Sequence, residues 1–483
     1  MVTVTVEPGQ WCTKSRIRDE DRPAVPTDDP TIRTAGARPA PLTDTGPHNV
    51  VPRSRFHRLP TALVAGYLVA GSLTALGALA ADAGFVPAPP VAPWLVLHLL
   101  LLGAATNAIF AWSLHFALAL LRARARSVRG LWLRLAVLNI GVLTVLTGVV
   151  RSAGELAAVG AGMVAGAVAA HLGALLVLLR ARAGAGLLGS LRGPLAGTVW
   201  FYVAAGVALL TGATIGALLT LGLPADPGWH ERLHVAHGHV NLLGWVGLSV
   251  IGTEFALWPA VLGVRVATGV SRVARRVLFT ASGGLVVAVV GMLLGWWPLA
   301  AVGLAGYAGG VALSLNPFVR TLPRHMPRNG PPWMLALAMV WLVVALLGDL
   351  YRLARSQDVL ALAGGFGRLA PVLGFGFAAQ TLLGALTFLL PVVLGGGPSG
   401  LRRLRAVLDR GWLVRAGFLN AGVLLFALPV TGFVRSCAGG MVAVAVGSFA
   451  VLAVVALVRS RRRPGSPGPS PVTPLGGSAP NTA

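Results

Sequence analysis

Apolar residues run along this chain in long unbroken blocks rather than in the narrow stripes of a helix half-buried in a soluble core. A helix needs ~20 mostly apolar residues to cross a bilayer. Such blocks lie near 61–82, 93–121, 131–150, 153–179, 196–221 and 234–264, and again near 274–297, 299–320, 331–354, 371–397, 411–434 and 438–459. None shows the ten-residue alternation of a membrane barrel strand, and the many glycines suit close helix contacts. The pattern predicts an all-α integral membrane protein with about twelve transmembrane helices.

Composition agrees: 55% of the 483 residues are hydrophobic and 11% charged, with a mean hydropathy of +0.76. The net charge of +24 raises nucleic acid as a partner, but the placement of the charges argues for membrane lipid and against nucleic acid. Of the 39 lysines and arginines, 33 fall in the termini and in every second connection between blocks, all on one side of the membrane. The positive-inside rule then puts both termini in the cytoplasm. Residues 1–58 and 461–483 are expected as disordered cytoplasmic ends flanking a twelve-helix membrane domain over 59–460, because polar, Pro- and Gly-rich segments bury too little apolar surface to fold. Cys12 and Cys437 fall on opposite sides of the membrane under this topology, which excludes a disulfide between them.

The blocks repeat. RGLWLRLAVLN at 129–139 returns as RGWLVRAGFLN at 410–420, an offset of 281, and the exits GVVRSAG from Gly148 and GFVRSCAGG from Gly432 are related. At half that offset His98-LLLLG aligns with His239-VNLLG, and NLLG at 241–244 aligns with TLLG at 381–384. Three pseudo-repeats of four helices follow. Helices 2, 6 and 10 are the matching members, so they are expected to line a shared interior, with His98, His237, His239 and Gln380 in their first turns at similar depth.

Three arcs of four helices, pore-lining helices 2, 6 and 10, and histidines in the outer half resemble the catalytic subunit (subunit I) of the haem-copper oxidases. More closely, HLLLLGAATNAIFAWSLHF at 98–116, AHGHVNLLGWVGLSVIGTEFALWP at 236–259 and QTLLGALTFLLPVVLGGGP at 380–398 look like the membrane domain of a bacterial copper oxidase-like group, with NnrS-type haem and copper proteins more distant. The resemblance covers roughly residues 60–460. It implies a bacterial inner-membrane location, haem as cofactor with copper as a further metal, and oxidoreductase chemistry. Helices 7 and 10 carry no histidine, and the helix 10 ligand position falls near Gln380, so the oxygen-reducing binuclear centre of the oxidases is not expected. Some relatives continue into a soluble multicopper domain, which implies a separate electron-transfer or multicopper partner here.

Histidine inside a span is costly unless it is bonded, pore-facing or ligating. His98 and His239, at equivalent repeat positions, are read as a bis-imidazole haem pair, against the alternative that each bonds a nearby carbonyl or an Asn such as Asn107 or Asn241. Asn241 would orient an imidazole, and Gln380 could at most bond the cofactor. His237 and His239 are two residues apart and so point about 200° apart. Asp226-Pro227 reads as a helix start, which would set His230, His234 and His237 on one stripe suited to copper or zinc, or simply exposed to water. Arg151 and Arg435, at matching positions at the outer ends of helices 3 and 11, would meet haem propionates or snorkel to the interface. His115 reads as a structural or headgroup-facing residue, His171 as packing against another helix, and Glu254 as an acid paired near the inner interface or part of a proton path.

The leading function is therefore a haem-binding, redox or gas-responsive membrane protein. A transporter or channel for a metal ion or small solute, and a cofactor-free scaffold for a partner oxidase, are the alternatives.

Overall fold

The computed structural model describes residues 53–87, 91–123, 127–183, 195–322 and 326–461, with side chains from residue 56 onward and excepting those of 182 and 183. Most of the N-terminal segment expected to be disordered, and residues 462–483, lie outside the described residues. Residues 53–58 do not fit that expectation, because the first helix already starts at Arg53.

The described residues are helical, with no strand among them. Eleven helices are long and apolar enough to cross a membrane: α1 (Phe56–Asp82), α2 (Ala92–Leu120), α3 (Arg129–Val150), α4 (Gly154–Ala181), α5 (Ala196–Thr220), α6 (Pro227–Leu262), α7 (Val270–Leu294), α8 (Trp297–Arg320), α9 (Gly330–Ser356), α10 (Leu360–Leu394) and α12 (Gly432–Arg459). The remaining apolar helix, α11 (Trp412–Ala427), is shorter. The architecture is that of an all-helical, multi-pass membrane protein. Large apolar side chains such as Leu133, Val177, Phe279, Val302 and Val451 stand exposed on its outside, as contact with lipid requires.

The eleventh apolar block differs from its expected bounds. The helix stops at Ala427, an extended Leu428 precedes Pro429, and α12 begins at Gly432. Proline favours extended backbone before it and cannot continue a helix ladder, which ends α11 early. Arg435 is consequently in the first turn of α12, not at the end of helix 11, whereas Arg151 does cap the C-terminus of α3. α11 is held alongside α9 by Trp341 Nε1 donating to Asn420 Oδ1 at 2.7 Å, and Asp409, in the turn before α11, accepts from the Gly330 backbone at 2.9 Å.

Consecutive helices pack as hairpins, most closely α7 with α8 and α3 with α4, and α12 returns against α1. The α7–α8 crossing is tight: a Cβ added to Gly303 would sit 2.1 Å from the backbone nitrogen of Ala288. Bilayer helices gain contact area by such small-residue approaches because lipid supplies little hydrophobic drive.

Helices α2, α6 and α10 lie innermost. They touch one another, and 56, 78 and 83% of their apolar cores are buried, against 33 to 50% elsewhere. Each contains a π-helical stretch, Leu99–Ala105, Val240–Leu248 and Val372–Ala379 respectively. Such stretches widen the helix locally and recur at functional sites. Trp245 Nε1 donates to Thr106 Oγ1 at 3.0 Å and ties α6 to α2 at this level.

Candidate functional site

The N-terminal half of α6 is set by its start. Asp226 accepts from the Trp229 backbone at 2.8 Å with Pro227 following, the arrangement that closes orphan amides at a helix beginning. From there His230, His234 and His237 fall on one face and line a single cavity of about 1140 Å³. Its walls come from α1 to α6 and α10 to α12, and most of its lining is aliphatic or aromatic. His234 is exposed and His230 and His237 are half-buried.

His98 meets His237 inside this cavity. The His98 ring stacks on Trp94 at 3.9 Å, and its Nδ1 donates to the Trp94 carbonyl at 2.8 Å. His237 Nδ1 donates to the Gly212 carbonyl of α5 at 3.0 Å, and the Asn241 amide donates to the His237 carbonyl at 2.8 Å. Gly212 permits this approach, since a Cβ there would lie 2.2 Å from Asn241 Oδ1. With Nδ1 carrying the proton, each Nε2 keeps its lone pair. Neither Nε2 has a hydrogen-bond partner among the described residues. The two ring centres are 6.4 Å apart with planes 19° from parallel.

His239 is elsewhere. Its Nδ1 donates to the Val235 carbonyl at 2.8 Å and its Nε2 meets Asp349 Oδ2 of α9 at 3.1 Å. Both nitrogens are engaged and both residues are almost fully buried. The expected His98–His239 pair is therefore corrected to His98–His237. The physical reason is the helical rotation between positions 237 and 239, which turns one imidazole to α5 and the cavity and the other to α9.

The remaining expected residues divide. Arg435 lines the cavity, donates to the Gly367 carbonyl and lies 5.0 Å over the Phe426 ring. Its neighbour Ser436 donates to Asp82 at the same rim. Arg151 is exposed at the end of α3 and does not line the cavity. Gln380 is not in the first turns of its helix: α10 begins at Leu360, so Gln380 lies about 30 Å along it, fully buried, with both amide atoms unpartnered. It does not line this cavity. Among the described residues no group of three or more His, Cys, Asp or Glu is placed to hold a metal ion, which removes the His230–His234–His237 stripe as a metal site of its own. His171 bonds Ser113 at 2.9 Å and stacks on Phe110, and His115 lies 3.0 Å from His57.

Three contributors were not anticipated. Trp94 supports His98, Phe366 packs between His234 and His239, and Asp349 pairs with His239. Only Asp349 carried a sequence signal, as an acid inside a span.

Comparison of the chain with protein-family models and with curated proteins finds no match.

Proposed function

We propose that this is a haem-binding membrane redox protein of the bacterial inner membrane, in which His98 and His237 would hold the haem iron. The carrying observation is that the two imidazole rings lie side by side in the cavity with their centres 6.4 Å apart. Two imidazoles bound through Nε2 at about 2 Å on opposite sides of one metal ion hold their ring centres about 6 Å apart, close to the 6.4 Å found. Their Nδ1 atoms are already committed to carbonyls, the arrangement that orients a ligating histidine and leaves the other nitrogen basic. A cavity of about 1140 Å³ with mainly apolar walls accommodates a flat porphyrin, and Arg435 at its rim offers a guanidinium to an anionic propionate.

A haem held this way supplies one-electron exchange at iron. Two imidazole ligands would favour electron transfer over gas binding, which selects the redox form of the expectation. The protein's own contribution is to fix both rings, exclude water with Trp94, Phe366 and Phe426, and neutralise the propionate side. The three-arc organisation with α2, α6 and α10 at its centre, the likeness to subunit I of the haem-copper oxidases, and a separate electron-transfer or multicopper partner belong to the same proposal, whereas a copper ion in addition to haem finds no donor set among the described residues.

The test is a reduced-minus-oxidised absorption spectrum of protein purified after haem-replete expression. A Soret band with the narrow visible bands of six-coordinate haem supports the reading. Colourless, folded protein that takes up no added haem refutes it and promotes transport of a solute through the cavity. Replacing haem by its dimethyl ester should weaken binding to the wild type more than to Arg435→Leu.

A further inference from the structure

Glu254 lies in the second half of α6, about 22 Å along the helix from His239 and about 12 Å before its end at Leu262. It is 2% exposed. No cation faces it, and it makes no hydrogen bond or ion pair among the described residues. This sets it apart from Asp349, the other deeply buried acid, which has His239. A carboxylate in a membrane interior with neither counter-charge nor donors costs several kcal/mol or more, so Glu254 needs a small cationic partner that the chain does not supply.

The surroundings identify that partner. Glu254 lines a cavity of about 80 Å³ together with the hydroxyl-bearing residues Ser113, Ser249, Thr253, Tyr202 and Thr381. Ser249 Oγ is buried and unpartnered, while Tyr202 and Thr253 bond each other at 2.9 Å. At about 30 Å³ per water the space holds two or three molecules, with the carboxyl and the orphan hydroxyl as their anchors. Tyr202 is the only other titratable group lining the space. His171 touches it from behind through Ser113, and no Lys, Arg or Asp lines it. The space is too small for a hydrated metal ion, and no multidentate His, Cys, Asp or Glu set exists nearby among the described residues. Val246 forms a wall of both this cavity and the large histidine-lined one.

We propose that Glu254 is a proton-binding site in the membrane interior, exchanging its proton with water held in the hydroxyl-lined cavity. The carboxyl gives its proton to a cavity water and takes one back, so the exchange needs no other reactant. Nothing in this depends on what fills the larger cavity.

The experiment follows the full-length protein in lipid nanodiscs by infrared spectroscopy, with carbon-13 in its Glu carboxyls to separate them from Asp349. At neutral pH a carboxylic-acid carbonyl band from Glu should be present, shift on transfer to D2O, vanish in Glu254→Gln and move in Glu254→Asp. Absence of the band in the wild type overturns the proposal, as does a band that fails to shift after prolonged D2O exposure, which would mark a sealed structural acid. Loss of the band on adding sodium chloride at constant pH would reassign the site to a metal cation and overturn it equally. The wild-type D2O and salt arms decide the question even if Glu254→Gln does not fold.

Discussion

His239 Nε2 and Asp349 Oδ2 are 3.1 Å apart, and neither side chain is more than about 1% exposed. The contact joins α6 to α9 across the interior and turns the imidazole away from the histidine-lined cavity. Removing one member leaves the other without its partner in a medium that solvates it poorly. Asp349→Ala is therefore expected to destabilise the protein by about 3–5 kcal/mol, read as a lowered unfolding midpoint in detergent. The double replacement His239→Leu with Asp349→Leu should recover much of that loss, because two matched apolar groups need no partner.

The same double variant separates ligand from scaffold. If His98 and His237 hold the haem, its Soret absorbance per folded protein should equal that of the wild type. His98→Ala and His237→Ala should each remove the six-coordinate spectrum, measured on protein whose helical circular dichroism is unchanged. A spectrum that survives both single substitutions would discard this ligand pair.

Gly212 tests the support of His237. Its carbonyl accepts from His237 Nδ1 at 3.0 Å, and an added Cβ would collide with the Asn241 side chain. Gly212→Ala should push α5 from α6 and loosen the imidazole without deleting a ligand. Loss of such outer support lowers metal-site affinity by about 10–100-fold. Titration of haem into protein purified without it gives the comparison, and unaltered affinity would detach Gly212 from the site.

Topology is testable without any cofactor. The Lys and Arg asymmetry predicts that a reporter fused after Arg463 is cytoplasmic and that one inserted near Pro224 is external. Protease or biotin accessibility from outside the cell reads both. External labelling of the C-terminal fusion would reverse the assignment of sides.

The spans were legible because a bilayer demands a length of unbroken apolar sequence, a property carried by consecutive residues. The start of α6 at Asp226-Pro227 was legible for a similarly local reason, since the cap and the proline act within one turn. The early end of α11 had its signal too, in Pro429, but the apolar run across it masked the break. Gln380 was misplaced in depth because its helix begins at Leu360, ahead of the apolar block from which its position was counted.

By itself the sequence determined the solvent, the helical class and which histidines lie inside apolar segments, all from local composition and spacing. It also determined that His237 and His239 face apart, since that follows from helical rotation alone. Which of the two meets His98 was a tertiary matter. That outcome depends on where α5 brings the Gly212 carbonyl and where α9 brings Asp349, 25 and 110 positions away from their respective histidines in the chain. The repeat alignment paired His98 with His239, but alignment carries position along a helix and no information about its rotation against neighbours. Only packing supplies that rotation, because each buried imidazole nitrogen must end on an acceptor or on a space that a ligand can fill.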